Sequence, residues 1–242
     1  MLYYLSLFGP VVPGLLWLWL FYRTDRQPEP RRIVAATFLL GVVAIVPAFA
    51  LERLAAEVLP FLREMQTGVL GGTPRALPLV IGCFFVIGPA EELAKFLVVR
   101  FYSYRQRDFD EPMDGLIYAS AAALGFASLE NVLYVFDFQT GALHWNALGL
   151  RSLLSLPGHV MFSVQWGYAL GRRRFDPSYP TLSRLVGAAL LHGLYDFILV
   201  YPPLQSLIVL YMSVMVPVVV RQFRILRALP VAASAGPDGG AT

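Results

Sequence analysis

Several apolar stretches of this chain are about as long as a membrane-spanning helix, and ionisable side chains lie inside or directly against them. These side chains are Glu91, Glu92, Lys95, His159, His192 and Asp196. An ionised group at the centre of a membrane helix costs roughly 2.5–3.5 kcal/mol on insertion scales. Such groups are therefore expected to face one another or a water-filled cavity, and the sequence predicts a polar site enclosed by helices.

The composition supports a helical membrane protein. The chain has 242 residues, of which 57% are apolar and only 14% are charged, whereas about a quarter of the residues of a soluble domain are charged. The apolar residues come in runs of about twenty, the length that crosses a hydrocarbon core. We predict an all-α, polytopic transmembrane bundle that forms one domain over residues 1–229. The predicted spans are 2–22, 33–51, 77–99, 114–135, 150–170, 182–200 and 204–220.

The loop arginines predict the orientation of these seven spans. Alternate loops carry fourteen arginines in one set and four in the other, and the latter are Arg53, Arg63, Arg75 and Arg151. The positive-inside rule then places the N-terminus outside and the C-terminus in the cytoplasm. The loop arginines are thus interpreted as topology signals, so the predicted partner is the lipid bilayer and not a nucleic acid.

Three further segments have a distinct pattern. Residues 51–68 have apolar residues at helical spacing, which is typical of an amphipathic helix on the outer surface or of an extension of the second span. The fourth span repeats Gly and Ala every four residues from Gly115, which predicts close packing at the centre of the bundle. The tail 230–242 is rich in Gly, Ala and Pro and is predicted to be disordered.

The third span carries the acidic pair. Gly88-Pro89 precedes it and predicts a bend or a break in the helix. Glu91 and Glu92 lie four and three residues before Lys95, so either carboxylate can pair with the lysine on one helix face. The other carboxylate then has no partner in its own helix, and an unpaired carboxylate in apolar surroundings suits proton transfer near neutral pH. The alternative is an acidic pair that reaches water at the membrane edge.

Two of the three histidines lie in the middle of predicted spans. A lone histidine on an apolar face is usually a satisfied core residue, but His159 and His192 lie at similar depths in neighbouring spans. Asp196 follows His192 by four residues and could accept the ring N–H, which is the orienting role found in catalytic and metal sites. Glu130 and Asn131, near the outer end of the fourth span, form a further polar pair. Their alternative role is hydrogen bonding between helices and contact with headgroups.

Other intramembrane chemistries lack their motifs in this chain. The sequence contains no His-Glu-x-x-His, no Gly-x-Ser-Gly and no Gly-x-Gly-Asp. A set of glutamates and histidines remains. Such a set can activate a water by general-base catalysis, with an imidazole stabilising the oxyanion. The same groups could instead hold a zinc ion, and the candidate ligands are Glu91, Glu92, His159 and His192.

Taken in order, these motifs resemble those of the PrsW family of bacterial intramembrane proteases. The resemblance covers about residues 80–200. It is carried by Gly88-Pro89-x-Glu91-Glu92-x-x-Lys95, Asp114-Gly115, Gly125-Phe126-x-x-x-Glu130-Asn131-x-x-Tyr134, His159 and His192-Gly193-x-Tyr195-Asp196. More distantly the pattern is similar to the CAAX prenyl endopeptidases. In those enzymes a Phe lies four residues before the first His, whereas this chain has Ser155 at that place.

The resemblance implies an endopeptidase in the bacterial cytoplasmic membrane. Its substrate would be a membrane-spanning protein such as an anti-sigma factor, which the family cuts first on the extracytoplasmic side during a stress response. By analogy Glu91 or Glu92 with His159 would activate the water, and His192 with Asp196 would stabilise the oxyanion. Glu130 is a further catalytic candidate, and Lys95 and Asn131 are candidates for structural roles. The family is also described as metallopeptidases, so zinc stays possible.

Two other functions are compatible with buried ionisable groups. A proton-coupled transporter uses such groups as relays, although this chain lacks paired broken helices in matching halves. A non-catalytic membrane scaffold would keep the groups without performing hydrolysis. Neither the substrate, the cut site nor the oligomeric state follows from the sequence.

Overall fold

A computed structural model describes residues 8–59 and 75–229 of the chain, and in these ranges the backbone is almost entirely helical. The helices are α1 (Val12–Tyr22), α2 (Arg31–Val58), α3 (Ala76–Gly82), α4 (Gly88–Phe101), α5 (Asp114–Val135), α6 (Trp145–Leu153), α7 (Ser155–Phe175), α8 (Thr181–Val200) and α9 (Ile208–Ala228). Among the described residues, extended pairing is limited to one isolated bridge between Phe136 and Leu143. The predicted all-α class is confirmed.

Five helical segments in the described ranges are long and apolar enough to cross a membrane. They are Arg31–Val58, Ala76–Arg105, Asp114–Val135, Thr181–Val200 and Pro202–Ala228. The helical segment Gly9–Tyr22 is apolar but shorter. The membrane character is therefore confirmed, whereas the number of seven spans and their orientation stay predictions.

Helix α5 lies at the centre of the bundle, as the repeat of small residues predicted. Almost all of its side chains are buried, and it packs against α2 on one side and α7 on the other. A Cβ atom at Gly41 of α2 would collide with the carbonyl of Ala122, and one at Gly115 of α5 would collide with the carbonyl of Gly167. Glycine at these places lets the backbones approach closely, which is how helices associate in lipid.

The third predicted span is one continuous helical segment whose pitch changes locally. A π-helical turn, Cys83–Ile87, joins α3 to α4, and Pro89 follows at the start of α4. A π-bulge of this kind often marks a functional site. Gly88 lies against the carbonyl of Ala189 in α8, and Gly193 of α8 lies against the carbonyl of Cys83. These reciprocal contacts bring the acidic pair of α4 beside His192.

The fifth predicted span is divided in the structure. The helix breaks at Leu154, so α6 precedes α7 as a separate short helix. Most side chains of α7 are buried, including His159, Ser163 and Gln165. Because α7 faces other helices more than lipid, it can carry polar residues that a lipid-facing helix would exclude.

The structure describes part of the segment 51–68 and none of the tail 230–242. Residues 51–58 continue α2 to Val58, so the extension, and not a separate surface helix, describes this part of 51–68. The rest of that segment from residue 60 lies outside the described residues. The tail 230–242 also lies outside them, and its predicted disorder stays a prediction.

The close contact between α8 and the π turn predicts opposite effects of two glycine substitutions on the same helix. A Cβ at Gly193 would come within 2.5 Å of the carbonyl oxygen of Cys83, whereas a Cβ at Gly187 has no atom within 4 Å. Gly193→Ala should therefore cost about 1–3 kcal/mol through overpacking. Gly187→Ala should keep or raise stability, because alanine favours the helix by about 1 kcal/mol. Thermal unfolding in detergent measures the stability of both variants. An equal change in the two unfolding temperatures would contradict the close contact at Gly193.

Candidate active site

Glu92 is the most completely bonded carboxylate in the described part of the chain. Its side chain is fully buried. Oε1 accepts from Lys95 Nζ at 2.7 Å and lies 3.0 Å from His192 Nδ1, while Oε2 accepts from Ser163 at 2.8 Å and from Trp166 Nε1 at 2.9 Å. Both oxygens are thus held by donors from α4, α7 and α8. Glu92 fixes the positions of its neighbours and has no oxygen left for a reacting water.

Lys95 shows which carboxylate of the pair neutralises it. Its buried ammonium lies 2.7 Å from Glu92 Oε1 and 3.5 Å from Glu91 Oε2. It also lies 2.9 Å from His159 Nδ1 and 4.7 Å from the centre of the Phe126 ring. Of the two carboxylates that the helical spacing places near Lys95, Glu92 is therefore its principal partner. Glu91 is paired more weakly with the lysine.

The ring of His192 is oriented by Glu92 and not by Asp196. Because an ionised carboxylate only accepts hydrogen bonds, His192 Nδ1 carries the proton that points to Glu92. Asp196 Oδ2 lies 3.7 Å from His192 Nε2, which is longer than a hydrogen bond. The orienting role assigned to Asp196 from the sequence is therefore wrong in detail. In its neutral form the ring presents an unprotonated Nε2 toward Glu91 and Asp196.

His159 has the opposite arrangement. The Lys95 ammonium can only donate, so His159 Nδ1 is the acceptor and Nε2 carries the proton. That Nε2 lies 2.8 Å from Glu130 Oε2. Glu130 therefore belongs to the inner network and not to the headgroup region, which was the alternative interpretation of its position. The rings of His159 and His192 are 4.9 Å apart between centres and nearly perpendicular.

Glu91 differs from Glu92 although the two are adjacent in sequence. Its Oε2 is buried and has no hydrogen-bond partner. The same atom lies 3.7 Å from His159 Nδ1 and 3.7 Å from His192 Nε2. One carboxylate oxygen therefore lies between two imidazoles from separate helices, within reach of a single bridging water.

A cavity of about 220 Å³ opens beside Glu91, large enough for several waters. Its polar lining consists of Glu52, Glu91, Glu130, Tyr134, Arg151, Ser155, His159, Tyr195 and Asp196. The other lining residues include Phe49, Leu199 and Val200, which lie toward the helix ends that lead into the arginine-poor loops. The cavity therefore lies nearer the predicted extracytoplasmic end.

Arg151 is a site residue that the sequence analysis counted only as a loop charge. Its Nη2 lies 2.9 Å from Glu130 Oε2 and 3.2 Å from Ser155 Oγ, and its Nε donates to Asn131 Oδ1 at 2.8 Å. Asn131 therefore contacts the site through this arginine, and its structural role stays a prediction. The four-residue spacing of Arg151, Ser155 and His159 was the available signal, because in an unbroken predicted span it would place all three on one face.

Glu52 is the second cavity residue that the sequence analysis missed. It was assigned to the surface segment 51–68, but it lines the cavity near the end of α2 and its Oε1 is buried without a hydrogen-bond partner. A carboxylate directly after an apolar run does not by itself indicate a site. Only the packing of α2 against the other helices brings it there.

The site contains a donor set for a metal. The ligand atoms of Glu91, His159 and His192 all lie within 4.8 Å of one another. Two imidazoles with one carboxylate are a common zinc set, and a carboxylate that holds the far nitrogen of a ligating histidine, as Glu92 holds His192, is typical of such sites. The unpartnered Oε2 of Glu91 fits the same role. Metal binding through His159 Nδ1 would replace the contact of that atom with Lys95.

Comparison with known proteins places the chain among intramembrane proteases. The model of a family described as PrsW family intramembrane metalloprotease matches residues 29–221. Protease PrsW of Bacillus subtilis is 34% identical over 199 residues, which cover 78% of this chain and 80% of that protein. Protease PrsW of Geobacillus kaustophilus is 33% identical over 194 residues, covering 78% and 77%. That of Oceanobacillus iheyensis is 30% identical over 193 residues, covering 78% and 80%.

No solved structure shows significant similarity. The family match covers the helices that carry the acidic pair, both histidines and the cavity. The chain belongs to the PrsW family of intramembrane proteases.

Proposed function

We propose that this protease hydrolyses a peptide bond of a membrane-spanning protein with Glu91 as the group that takes the proton from the attacking water. The observation that carries the proposal is the buried Oε2 of Glu91, which has no hydrogen-bond partner, lies 3.7 Å from two imidazole nitrogens and belongs to a residue that lines the cavity. A general base must reach the water and have a lone pair to spare. Glu91 meets both conditions, whereas all four bonds of Glu92 are committed.

In this proposal His192 and Glu91 position the water. The unprotonated Nε2 of His192 accepts one O–H of the water, and Glu91 Oε2 accepts the other. The water oxygen then attacks the scissile carbonyl carbon as its proton moves to Glu91. Fixing the reacting atoms in this way removes much of the entropic cost of bringing them together.

Arg151 is the group proposed to stabilise the oxyanion that forms. It lines the cavity, and Glu130, Asn131 and Ser155 hold its guanidinium in place. A preorganised positive charge in a low-dielectric cavity stabilises developing negative charge strongly. This assigns to Arg151 the role that the family analogy gave to His192 and Asp196. When the intermediate collapses, the C–N bond breaks, the proton on Glu91 passes to the leaving nitrogen, and the carboxylate is restored.

A metal ion is compatible with the same residues. Glu91, His159 and His192 would hold it, and when bound it would supply Lewis-acid activation of the water. A carboxylate has two oxygens, so ligation through one leaves the other able to take a proton. Glu92 would keep its role in orienting His192.

The proposed substrate is a single-span membrane protein of the anti-sigma-factor class, cut on its extracytoplasmic side. The family resemblance supports the class, and the position of the cavity toward the arginine-poor loops supports the side. Peptide hydrolysis at this depth requires a locally unwound segment, because a helical backbone hides its carbonyls in hydrogen bonds. A substrate with helix-breaking residues near its outer membrane boundary should therefore be preferred.

The different bonding of the adjacent glutamates predicts different effects of the same substitution. Glu91→Gln should lower the cleavage rate of a reconstituted single-span anti-sigma factor by about 10²–10⁴-fold, the range for loss of a general base. Its thermal stability in detergent should stay close to that of the parent. Glu92→Gln should instead cost about 3–5 kcal/mol of stability, because it leaves the buried Lys95 without its main partner.

The control for this pair is Asp137→Asn, which changes a loop carboxylate that bonds only within its own turn. It should alter neither the cleavage rate nor the unfolding temperature. Cleavage at the parent rate by Glu91→Gln would contradict the assignment of the base, and so would an inactive Glu92→Gln variant of unchanged stability.

The donor set predicts that the purified protein binds about one zinc per chain. Metal analysis after equilibration with zinc and desalting should show this content in the parent protein and its loss in His192→Ala. A zinc chelator should then lower both the cleavage rate and the unfolding temperature, and added zinc should restore them. Full activity of the metal-free protein would contradict a role for zinc in the reaction. Glu91 would then activate the water without a metal.

A further inference from the structure

A second cluster of buried carboxylates lies at the opposite end of the bundle from the cavity. It consists of Asp25 in the loop after α1, Glu111 in the loop before α5, and Asp114 at the first position of α5. Ligand oxygens of the three residues lie within 4.8 Å of one another. All three residues are buried, with exposed fractions of 7%, 7% and 0%. The hydrolytic site does not use them.

In two of these carboxylates, only one of the two oxygens accepts backbone hydrogen bonds. Asp114 Oδ2 accepts the backbone N–H groups of Asp110 and Glu111 at 2.7 and 2.8 Å, and Asp25 Oδ1 accepts that of Gln27 at 3.0 Å. The second oxygen of each, Asp114 Oδ1 and Asp25 Oδ2, is buried and accepts from no N–H or hydroxyl group, and its neighbours are further carboxyl groups, Glu29 beside Asp114 and Glu111 beside Asp25. The backbone therefore holds each carboxylate by one oxygen and leaves the other unpaired inside the cluster. A buried unpaired carboxylate oxygen is costly unless a proton or a cation meets it.

A fourth carboxylate completes the surroundings. Glu29 is 3% exposed and accepts a hydrogen bond from the Tyr118 hydroxyl. Glu29 lies beside Asp114, so it adds a fourth buried carboxyl group to the surroundings of the cluster.

The protein supplies little compensating charge here. No lysine or arginine within residues 8–59 and 75–229 forms an ion pair with these four carboxylates, while Arg227 attracts Asp25 from a longer distance. Oxygen-only surroundings made of several carboxyl groups match the coordination that hard divalent cations prefer, and they do not match zinc, which favours nitrogen and sulfur.

We infer that Asp25, Glu111 and Asp114, with Glu29 beside them, form a binding site for a hard divalent cation, Ca²⁺ or Mg²⁺. Such an ion ties the α1–α2 loop and the loop after α4 to the start of α5. Helix α5 then connects this site to Glu130, sixteen residues further on and thus roughly 24 Å away at 1.5 Å per residue. The cation would stabilise the central helix on which one wall of the cavity depends.

Terbium luminescence tests this site directly, because Tb³⁺ replaces hard divalent cations and emits when a nearby tyrosine is excited. Tyr118 is hydrogen-bonded to Glu29 and provides that tyrosine. Full-length protein in detergent should show saturable, tyrosine-sensitised Tb³⁺ emission with about one ion per chain. Excess Ca²⁺ or Mg²⁺ should displace it, and the more effective of the two identifies the preferred ion.

The variants separate this cluster from the other acidic positions. Asp25→Asn and Glu111→Gln should each weaken Tb³⁺ binding about tenfold or more, because affinity follows the number of charged ligands. Asp176→Asn is the control at the same end of the bundle, since this exposed side chain bonds only to Ser178. Glu91→Gln removes a carboxylate from the hydrolytic site instead. Both of these variants should bind Tb³⁺ like the parent.

Calorimetric titration with Ca²⁺ or Mg²⁺ provides a readout that is independent of light emission. In a separate measurement, the unfolding temperature of the parent should rise when the ion is added, whereas that of Asp25→Asn should not. Three results would overturn the inference. One is emission abolished by Glu91→Gln and kept by Asp25→Asn. Another is absence of saturable binding. The third is a cluster that only exchanges protons, shown by an unfolding temperature that responds to pH near 7 but not to either cation.

Discussion

The buried ion pair between Glu92 and Lys95 is the interaction on which the rest of the candidate active site depends. The two groups are 2.7 Å apart and fully buried, so removing either partner would leave an uncompensated charge in a low-dielectric interior. Glu92 also accepts from Ser163 and Trp166 of α7 and holds His192 of α8. One carboxylate thereby joins three helices, and this satisfies groups that lipid could not.

Because Glu92 takes these donors, Glu91 is left with an unpaired oxygen. The two residues are identical in chemistry and adjacent in sequence, but successive residues of a helix point in directions about 100° apart. Glu92 points into the contact between helices and Glu91 points to the cavity. The same geometry determines the histidines. His192 is bonded through Nδ1 and His159 lies against Glu130 through Nε2, so each presents its other nitrogen toward Glu91. An assembly of this kind suits either proton transfer or metal binding.

The sequence predicted the helical membrane class, the central position of α5 and the set of polar residues, because each depends on local pattern. Apolar length, four-residue spacing of small residues and charges within apolar runs can all be read along one helix. The pairings between helices could not be read in this way. Asp196 is at the correct spacing for His192, yet Glu92 holds the ring, since a carboxylate from α4 comes closer across the Gly88–Gly193 contact than the one on α8 itself. Arg151 was counted as a loop charge and Glu52 as part of the surface segment 51–68, because only contacts between helices bring them to the cavity.

The most direct test of the account is the protonation pattern of the two buried imidazoles, measured by ¹⁵N NMR of protein labelled at histidine. The network requires opposite tautomers, with the proton on Nδ1 in His192 and on Nε2 in His159, and a metal bound to the remaining nitrogens would preserve that pattern. Assignment is possible because the chain has three histidines and single substitutions identify each signal. Two distinct, fixed and opposite tautomers are the predicted result. Identical tautomers, or rapidly exchanging rings like those in open water, would contradict the account.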